Sequence, residues 1–372
     1  MASRTALIAA TAALAATPGA LAGRPDFHQK MAGPDGAFYG KGFGFEAAPG
    51  DMFVNNAARL AEIQAKAVAH GWQAGAQERF EGASMAHVQA LCGTYTKGHP
   101  SWLPTPAAKL EKTEGSDPPD SFDARDNWPQ CASIGHIRDQ SDCGSCWAFG
   151  STEAFNDRLC ISQGFQGLLS VEDTTACCGL LNCGFSMGCN GGQPSGAWGW
   201  FHKTGVVTGG DYGDDNYCLP YSFPPCAHHV NSTKYDPCPS SEYPTPSCDK
   251  SCQSEYDEHD YKSDKIKASS SYSLNSEQDI MQSIYEKGPV TGAFTVFDDF
   301  PTYKSGVYRM TPGSSALGGH AIKIMGWGEE NGDKYWLVAN SWNDSWGDGG
   351  TFKILRGVNE CGIEGDVVAG DV

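Results

Sequence analysis

A thiol becomes a strong nucleophile when its proton is easily lost, and one stretch of this chain is built for that. In Gln140-Ser-Asp-Cys143-Gly-Ser-Cys146-Trp147-Ala-Phe-Gly150, apolar residues recur from Cys146 onward at three- and four-residue steps. That spacing predicts a helix from Cys146 to about Ser162, with Ala148, Phe149, Thr152, Phe155 and Leu159 on one face. A cysteine at a helix start meets unpaired backbone N–H groups and the positive end of the helix dipole, both of which favour thiolate. Such a nucleophile needs a base, and the base needs a partner that orients it. Gly318-Gly319-His320-Ala321 and Asn340-Ser341-Trp342 offer an imidazole and an amide. An amide holds the ring without cancelling its charge, which suits a thiolate–imidazolium pair. Gln140, six residues before Cys146, can donate its side-chain N–H to a developing oxyanion. Cys143 and Cys146 alone also fit a redox or zinc pair. Zinc would need two further ligands at matching spacing, and none stands out. A thioredoxin-like pair should sit in a βαβ pattern, which is not apparent. No metal or cofactor is therefore expected.

The elements that must position these groups change character along the chain. After the Cys146 helix, Pro289 to Phe297, His320 to Trp327 and Tyr335 to Asn340 are short runs rich in β-branched and aromatic residues, bounded by Gly and Asn. A helical first half and a strand-rich second half imply an α+β chain in two packed lobes. Upstream, residues 23 to 92 carry a single cysteine, Cys92, and an amphipathic helix is expected within Asp51 to Trp72. Gly93 to Asp120 is rich in Pro, Lys, Thr and Gly and reads as an exposed linker. Fourteen of the fifteen cysteines lie from Cys131 on, a density that signals disulfides in an oxidising compartment. The first 22 residues agree: Arg4, an apolar run from Ala6 to Ala16, then small residues at Ala20-Leu21-Ala22 outline a signal peptide. Eleven apolar residues cannot span a bilayer core, and no later stretch is apolar enough. The chain has 372 residues and a net charge of −18, which disfavours a nucleic-acid partner or an anionic membrane surface.

Cys143-Gly-Ser-Cys146-Trp147 resembles the nucleophile motif of the papain-like cysteine peptidases, and the chain is most similar to their cathepsin B branch. The similarity runs from Ser121-Phe-Asp-Ala-Arg125 to Val367-Val-Ala-Gly370, through Trp128-Pro-Gln-Cys131, Gly188-Cys-Asn-Gly-Gly192, Gly326-Trp-Gly328 and Tyr335-Trp-Leu-Val-Ala-Asn-Ser-Trp342. In the leader it extends weakly to Trp72-Gln-Ala-Gly75 and Leu91-Cys-Gly-Thr94. The resemblance implies a helical N-terminal lobe and a β-barrel-like C-terminal lobe, with the cleft between them. It makes Cys146 the nucleophile, His320 the acid/base, Asn340 the orienter and Gln140 the oxyanion donor. Substrate would be bound by Gly191, Gly192, His228, His229, Asp366 and Trp342. Residues 1–22 would be a signal peptide, 23–117 a propeptide with its linker, and 118–372 the peptidase domain. Partners would be peptide and protein substrates, the chain's own propeptide as inhibitor, and cystatin-like inhibitors. The location would be the secretory pathway, ending in a lysosome-like vacuole or outside the cell.

In simpler family members the His and Asn lie about 130–150 residues beyond the nucleophile; here the gaps are 174 and 194. The excess falls about Pro220 to Cys252, where Pro224-Pro-Cys226-Ala-His228-His229 is similar to an occluding loop. Such a loop blocks the primed end of the cleft and holds a substrate's C-terminal carboxylate, so removal of C-terminal dipeptides is implied beside internal cleavage. The resemblance pairs His228 with Asp139. It aligns Lys234 and Ser345 where a second, Arg–Asp tether is usual, and Lys lacks the planar fork of Arg. Asp366 replaces the family's Glu in the second unprimed subsite, keeping the charge with shorter reach. Six disulfides are implied: Cys131–Cys160, Cys143–Cys189, Cys177–Cys248, Cys178–Cys183, Cys218–Cys252 and Cys226–Cys238. Two other functions remain open to such a chain: a catalytically silent relative used for binding or matrix, and a disulfide scaffold with no enzyme site. The presence of all four site residues favours the peptidase. Sequons stand at Asn231-Ser-Thr233 and Asn343-Asp-Ser345.

Overall fold

A computed structural model describes residues 52–99, 102, 117–179, 181–227, 236–239 and 241–372. The leader folds first in chain order. Helix α1 (Ala57–Ala69) is capped by Asn56, whose side chain accepts from the Arg59 amide, and it buries Ile63 and Ala67. Strand β1 (Trp72–Ala74) follows, and then helix α2 (Met85–Leu91), capped by the Ser84 hydroxyl.

The body begins with β2 (Phe122–Asp123) and the short helix α3 (Ala124–Asn127). Helices α4 (Cys146–Gln163), α5 (Val171–Cys177) and α6 (Pro194–Lys203) build one lobe around Phe149, Phe155, Trp198 and Phe201. The pair β3 (Cys226–Ala227) and β4 (Asp236–Pro237) stands apart from the main sheet. The second lobe holds β5 (Tyr272–Leu274), α7 (Glu277–Lys287), β6 (Val290–Phe297), β7 (Tyr303–Tyr308), β8 (Ala316–Glu330), β9 (Asp333–Ala339), β10 (Thr351–Leu355) and β11 (Val367–Ala369).

The main sheet runs in the order β1-β7-β10-β9-β8-β6-β11-β5, with β2 pairing β8 beside that path. Only β7 and β10 are parallel among its paired strands. The expected barrel is therefore corrected to an open sheet: β1 and β5 are its two ends and do not pair with each other. One end is supplied by the leader. β1 adds antiparallel to β7, and Trp72 packs on Tyr308 and Tyr303 with ring centroids 5.1 and 6.2 Å away. Ile63, Ala67, Phe80, Val88 and Leu91 share one apolar cluster with Phe294, Phe300, Trp342 and Phe352 of the sheet lobe.

The sequence pattern underestimates α4. One apolar face was expected, yet every residue from Cys146 to Cys160 is buried, including Glu153, Asn156, Asp157 and Arg158. The helix lies between the lobes, so its polar side must be satisfied internally. Lys323 of β8 reaches Asp157 at 2.8 Å and Glu153 at 3.6 Å. Arg158 spends all five donors inside the protein. Its Nε donates to the Pro289 carbonyl, Nη1 to Tyr272 and the Gly370 carbonyl, and Nη2 to Ser283 and the Gly288 carbonyl, all at 2.8–3.0 Å. These bonds tie α4 to β5, to α7 and the Gly288-Pro289 turn that follows it, and to the C-terminal segment. Each carbonyl stranded by removal of the guanidinium costs about 1–3 kcal/mol. Arg158→Leu is accordingly expected to lower stability by about 3 kcal/mol or more, read as a fall in the urea midpoint with the disulfides intact.

All six implied disulfides are present. Among the described cysteines, Cys92, Cys146 and Cys361 are free.

Candidate active site

Cys146 opens α4. The preceding Ser145 does not cap the helix with its side chain; its hydroxyl pairs with Tyr221 Oη at 3.0 Å instead. The first backbone N–H groups are thus left facing the thiol, and the Trp147 amide is among the groups that bond Sγ. His320 lies on β8 opposite Phe294 of β6, and Ala321, its neighbour, also directs its amide at Sγ. Nε2 of His320 pairs with Asn340 Oδ1 at 2.7 Å, while Nδ1 has no hydrogen-bond partner among the described residues. Trp342 covers the imidazole, ring centroids 4.7 Å apart. The Ser341 hydroxyl donates to Gln140 Oε1 at 2.8 Å and so fixes the amide with Nε2 free to donate. The main chain of Gln140 is held as well, its N–H on the Ser341 carbonyl and its carbonyl on Tyr221 Oη.

Leader residues lie directly on these groups. Gln140 Nε2 donates to the Leu91 carbonyl at 3.0 Å and to the Cys143 carbonyl at 2.7 Å. Thr94 Oγ1 sits 3.1 Å from Cys146 Sγ. Gly192 donates to the Gly93 carbonyl at 2.8 Å, Tyr95 donates to the Gly192 carbonyl at 3.1 Å, and Thr94 donates to the Gly319 carbonyl at 3.0 Å. The crossing is tight enough to require bare backbone on both chains. A Cβ on Gly93 would overlap the Gly144 carbonyl, and one on Gly319 would overlap the Thr94 carbonyl. Thr94 pairs with Gly192 in the parallel sense. Gly191 lies beside the same segment, where an added Cβ would come 3.5 Å from the Tyr95 ring.

Burial sets the protonation of the pair. It pushes the Cys146 thiol up, against the opposing hydrogen bonds from Thr94 and the nearby backbone amides. It lowers His320 to about 4, with the Asn340 contact acting in the opposite direction. Both changes favour thiol and neutral imidazole over the ion pair.

The cleft has acidic groups at two further places. Asp366 precedes β11, and its carbonyl accepts from the Ala293 amide. Its carboxylate takes the indole N–H of Trp102 at 2.7 Å; burial raises it to about 6, opposed by that bond and by the Lys97 ammonium. Asp139 accepts from the amides of Ser141 and Cys226 and from Asn343 Nδ2, with the leader's Arg79 at 3.8 Å. His228, His229, Lys234 and Asn231 lie outside the described residues, so the expected His228–Asp139 pair does too. Ser345 turns to Asn343 Oδ1 at 2.6 Å. Asn343 itself is 2% exposed with Nδ2 engaged on Asp139, which leaves no room for a glycan at that sequon in the folded chain.

The structure therefore gathers Cys146, His320, Asn340, Gln140, Trp342, Gly191 and Gly192 around one crossing, with Asp366 bound by Trp102. The sequence reading missed Leu91, Thr94, Arg79 and Trp102 as contacts, although Leu91-Cys-Gly-Thr94 had matched the family's leader. It also missed Glu242, whose Oε1 accepts from the Gly144 amide at 3.0 Å and whose carboxyl is raised to about 8 by burial. Nothing in a Ser-Glu-Tyr stretch within a long loop signals that contact.

An α+β fold with a cysteine at a helix start and a histidine–asparagine pair on the facing sheet defines a class. A model of the papain family of cysteine proteases matches residues 118–370, and the chain belongs to that family. Cathepsin B-like cysteine proteinase 6 of Caenorhabditis elegans is 48% identical over 304 residues, 80% of this chain and 79% of the relative. Cathepsin B-like cysteine proteinase 5 of the same nematode is 52% identical over 264 residues, 69% and 76% of the two chains. Among solved structures, proCathepsin B S9 from Trypanosoma congolense superposes with a TM-score of 0.70 at 32% identity, covering 86% of this chain and 99% of that one. Procathepsin L 3 of Tenebrio molitor larval midgut shares the fold, with a TM-score of 0.60 at 22% identity over 85% and 88% of the chains. The protein is a cysteine protease of the cathepsin B-like kind, and the precursor neighbours support a propeptide in the leader. No helix among the described residues is long and apolar enough to cross a membrane.

Proposed function

We propose that this cysteine peptidase cleaves peptide bonds through Cys146 and His320, and that it removes C-terminal dipeptides as well as cutting internally. The observation that carries the mechanism is the alignment of Asn340 Oδ1 on His320 Nε2 at 2.7 Å, which leaves Nδ1 for the thiol proton. Once the leader is cleared, His320 takes that proton and Sγ attacks the scissile carbonyl carbon. The carbonyl electron pair moves to oxygen, where Gln140 Nε2–H, occupied by Leu91 in the precursor, stabilises the negative charge. The imidazolium then protonates the leaving amine as the C–N bond breaks, giving an acyl-enzyme. Water, deprotonated by His320, attacks the thioester carbonyl, and Cys146 leaves as thiolate.

Residues 23–117 serve as the inhibitory propeptide and 118–372 as the peptidase domain, after a signal peptide of 1–22 directs entry to the secretory pathway. Dipeptide removal rests on the loop about 220–252 and on its resemblance to an occluding loop, clipped by Cys226–Cys238. Asp139 receives His228 in the processed enzyme, replacing Arg79 of the leader, while His229 meets the substrate carboxylate. Histidine protonates near its ordinary value of about 6.5, so this pin is strongest in acid. At about pH 5, His228→Ala should raise the ratio of internal cleavage to dipeptide removal, and His229→Ala should chiefly lower dipeptide removal. Matched substrates with free and amidated C-termini measure the ratio. An unchanged ratio in both variants would refute the loop assignment.

A further inference from the structure

The leader crosses the site in a fixed order. Leu91 meets the oxyanion donor, Gly93 and Thr94 meet the thiol and Gly192, Tyr95 lies beside Gly191, and Trp102 reaches Asp366. The last contact has chemical content of its own. The indole Nε1–H points at Oδ2 from 2.7 Å, the length of a strong hydrogen bond to a charged acceptor. Asp366 is held in place by the backbone: its carbonyl accepts from the Ala293 amide, and Val367 beside it pairs with Gly292 and Leu274. A carboxylate on so short and fixed a stem is reached by a side chain that carries its donor at the end of a long rigid body. Indole does this with two rotatable bonds, whereas an arginine must order a flexible stem and shed the water around a full charge.

We infer that the subsite ending in Asp366 selects substrates with tryptophan at the second unprimed position, the carboxylate accepting the indole N–H as it does from Trp102. This rests on the proposed assignment of Asp366 to that subsite and narrows the substrate class there. Trp102 acts as a built-in occupant of the subsite, so the precursor carries a copy of the side chain that the processed enzyme prefers.

The test uses the processed enzyme and peptides identical except at that position, carrying Trp, 1-methyltryptophan, Phe or Arg. 1-Methyltryptophan keeps the shape and loses only the N–H. Hydrogen bonds to charged groups are worth enough that kcat/KM should favour Trp over 1-methyltryptophan by about tenfold or more. Asp366→Asn retains an acceptor and should keep that preference while losing turnover of the Arg peptide relative to Trp. Asp366→Leu removes the acceptor and should bring the Trp to 1-methyltryptophan ratio close to one. Competition needs no variant: N-acetyl-tryptophanamide should inhibit turnover of the Phe peptide more strongly than its 1-methyl derivative. Equal kcat/KM for Trp and 1-methyltryptophan in the unaltered enzyme, or a preference surviving in Asp366→Leu, would overturn the inference. Failure of the peptidase reading would look different, because the Phe peptide itself would not be cut.

Discussion

Cys146→Ala is expected to lower kcat/KM for every peptide substrate by at least about 10⁴-fold, with the fold unchanged by circular dichroism. The loss is large because neither of the other free thiols among the described residues can stand in: Cys92 lies in the leader, and Cys361 is a partly buried thiol that burial and neighbouring acids push far up. His320→Ala should cost about as much, and the double variant little more, since thiol and imidazole act as one unit. Gln140→Ala should fall short of that, with kcat down about 10²–10³-fold, the range for one lost oxyanion donor. A Cys146→Ala protein as active as its parent would remove the nucleophile assigned here.

The second large effect is the difference between precursor and processed body. In the precursor, His320 gains a proton only near pH 4, and the thiol is held above its ordinary value of 9.0. Both shifts favour neutral thiol and neutral imidazole, so thiolate is scarce near neutral pH. The cause is burial, so clearing residues 91–94 from the cleft is expected to relax both changes and let the ion pair form. The alkylation rate of Cys146 by iodoacetamide should accordingly stay low in the precursor across pH 5–8. In the processed body it should be at least about 10²-fold higher at pH 6, because a thiolate paired with imidazolium is drawn below the free thiol range. A precursor alkylated as fast as the processed body at pH 6 would show that the leader does not control the pair.

Much of this was legible before any coordinates. The helix from Cys146 and strands about Pro289 to Phe297, His320 to Trp327 and Tyr335 to Asn340 follow from spacing and β-branched content, and the structure has them as 290–297, 316–330 and 333–339. The disulfide pairing was legible only through resemblance, as fourteen body cysteines allow many connectivities. Three features were not legible, each for a physical reason. The burial of Glu153, Asp157 and Arg158 depends on Lys323 and on carbonyls more than 100 residues away, which no local pattern encodes. Closure of the sheet is a matter of strand order; β1 from the leader occupies one end, and periodicity within strands is silent on it. Leu91 makes its contact from the end of α2, while Thr94 and Trp102 come from a stretch whose Pro, Gly and Lys content reads as a tether. Its backbone is ordered by pairing with Gly192 and Gly319 on the body rather than by any propensity of its own.

The central claim is that one thiol, Cys146, performs the chemistry and that the leader conceals it. An epoxide carried on a peptide, which alkylates only an activated cysteine in a substrate cleft, tests both halves in one peptide map. At pH 6 the processed body should carry one adduct, on Cys146, and lose activity in proportion, while the intact precursor should stay unlabelled. Labelling of Cys361 instead of Cys146, or equal labelling of Cys146 in both forms, would contradict the account.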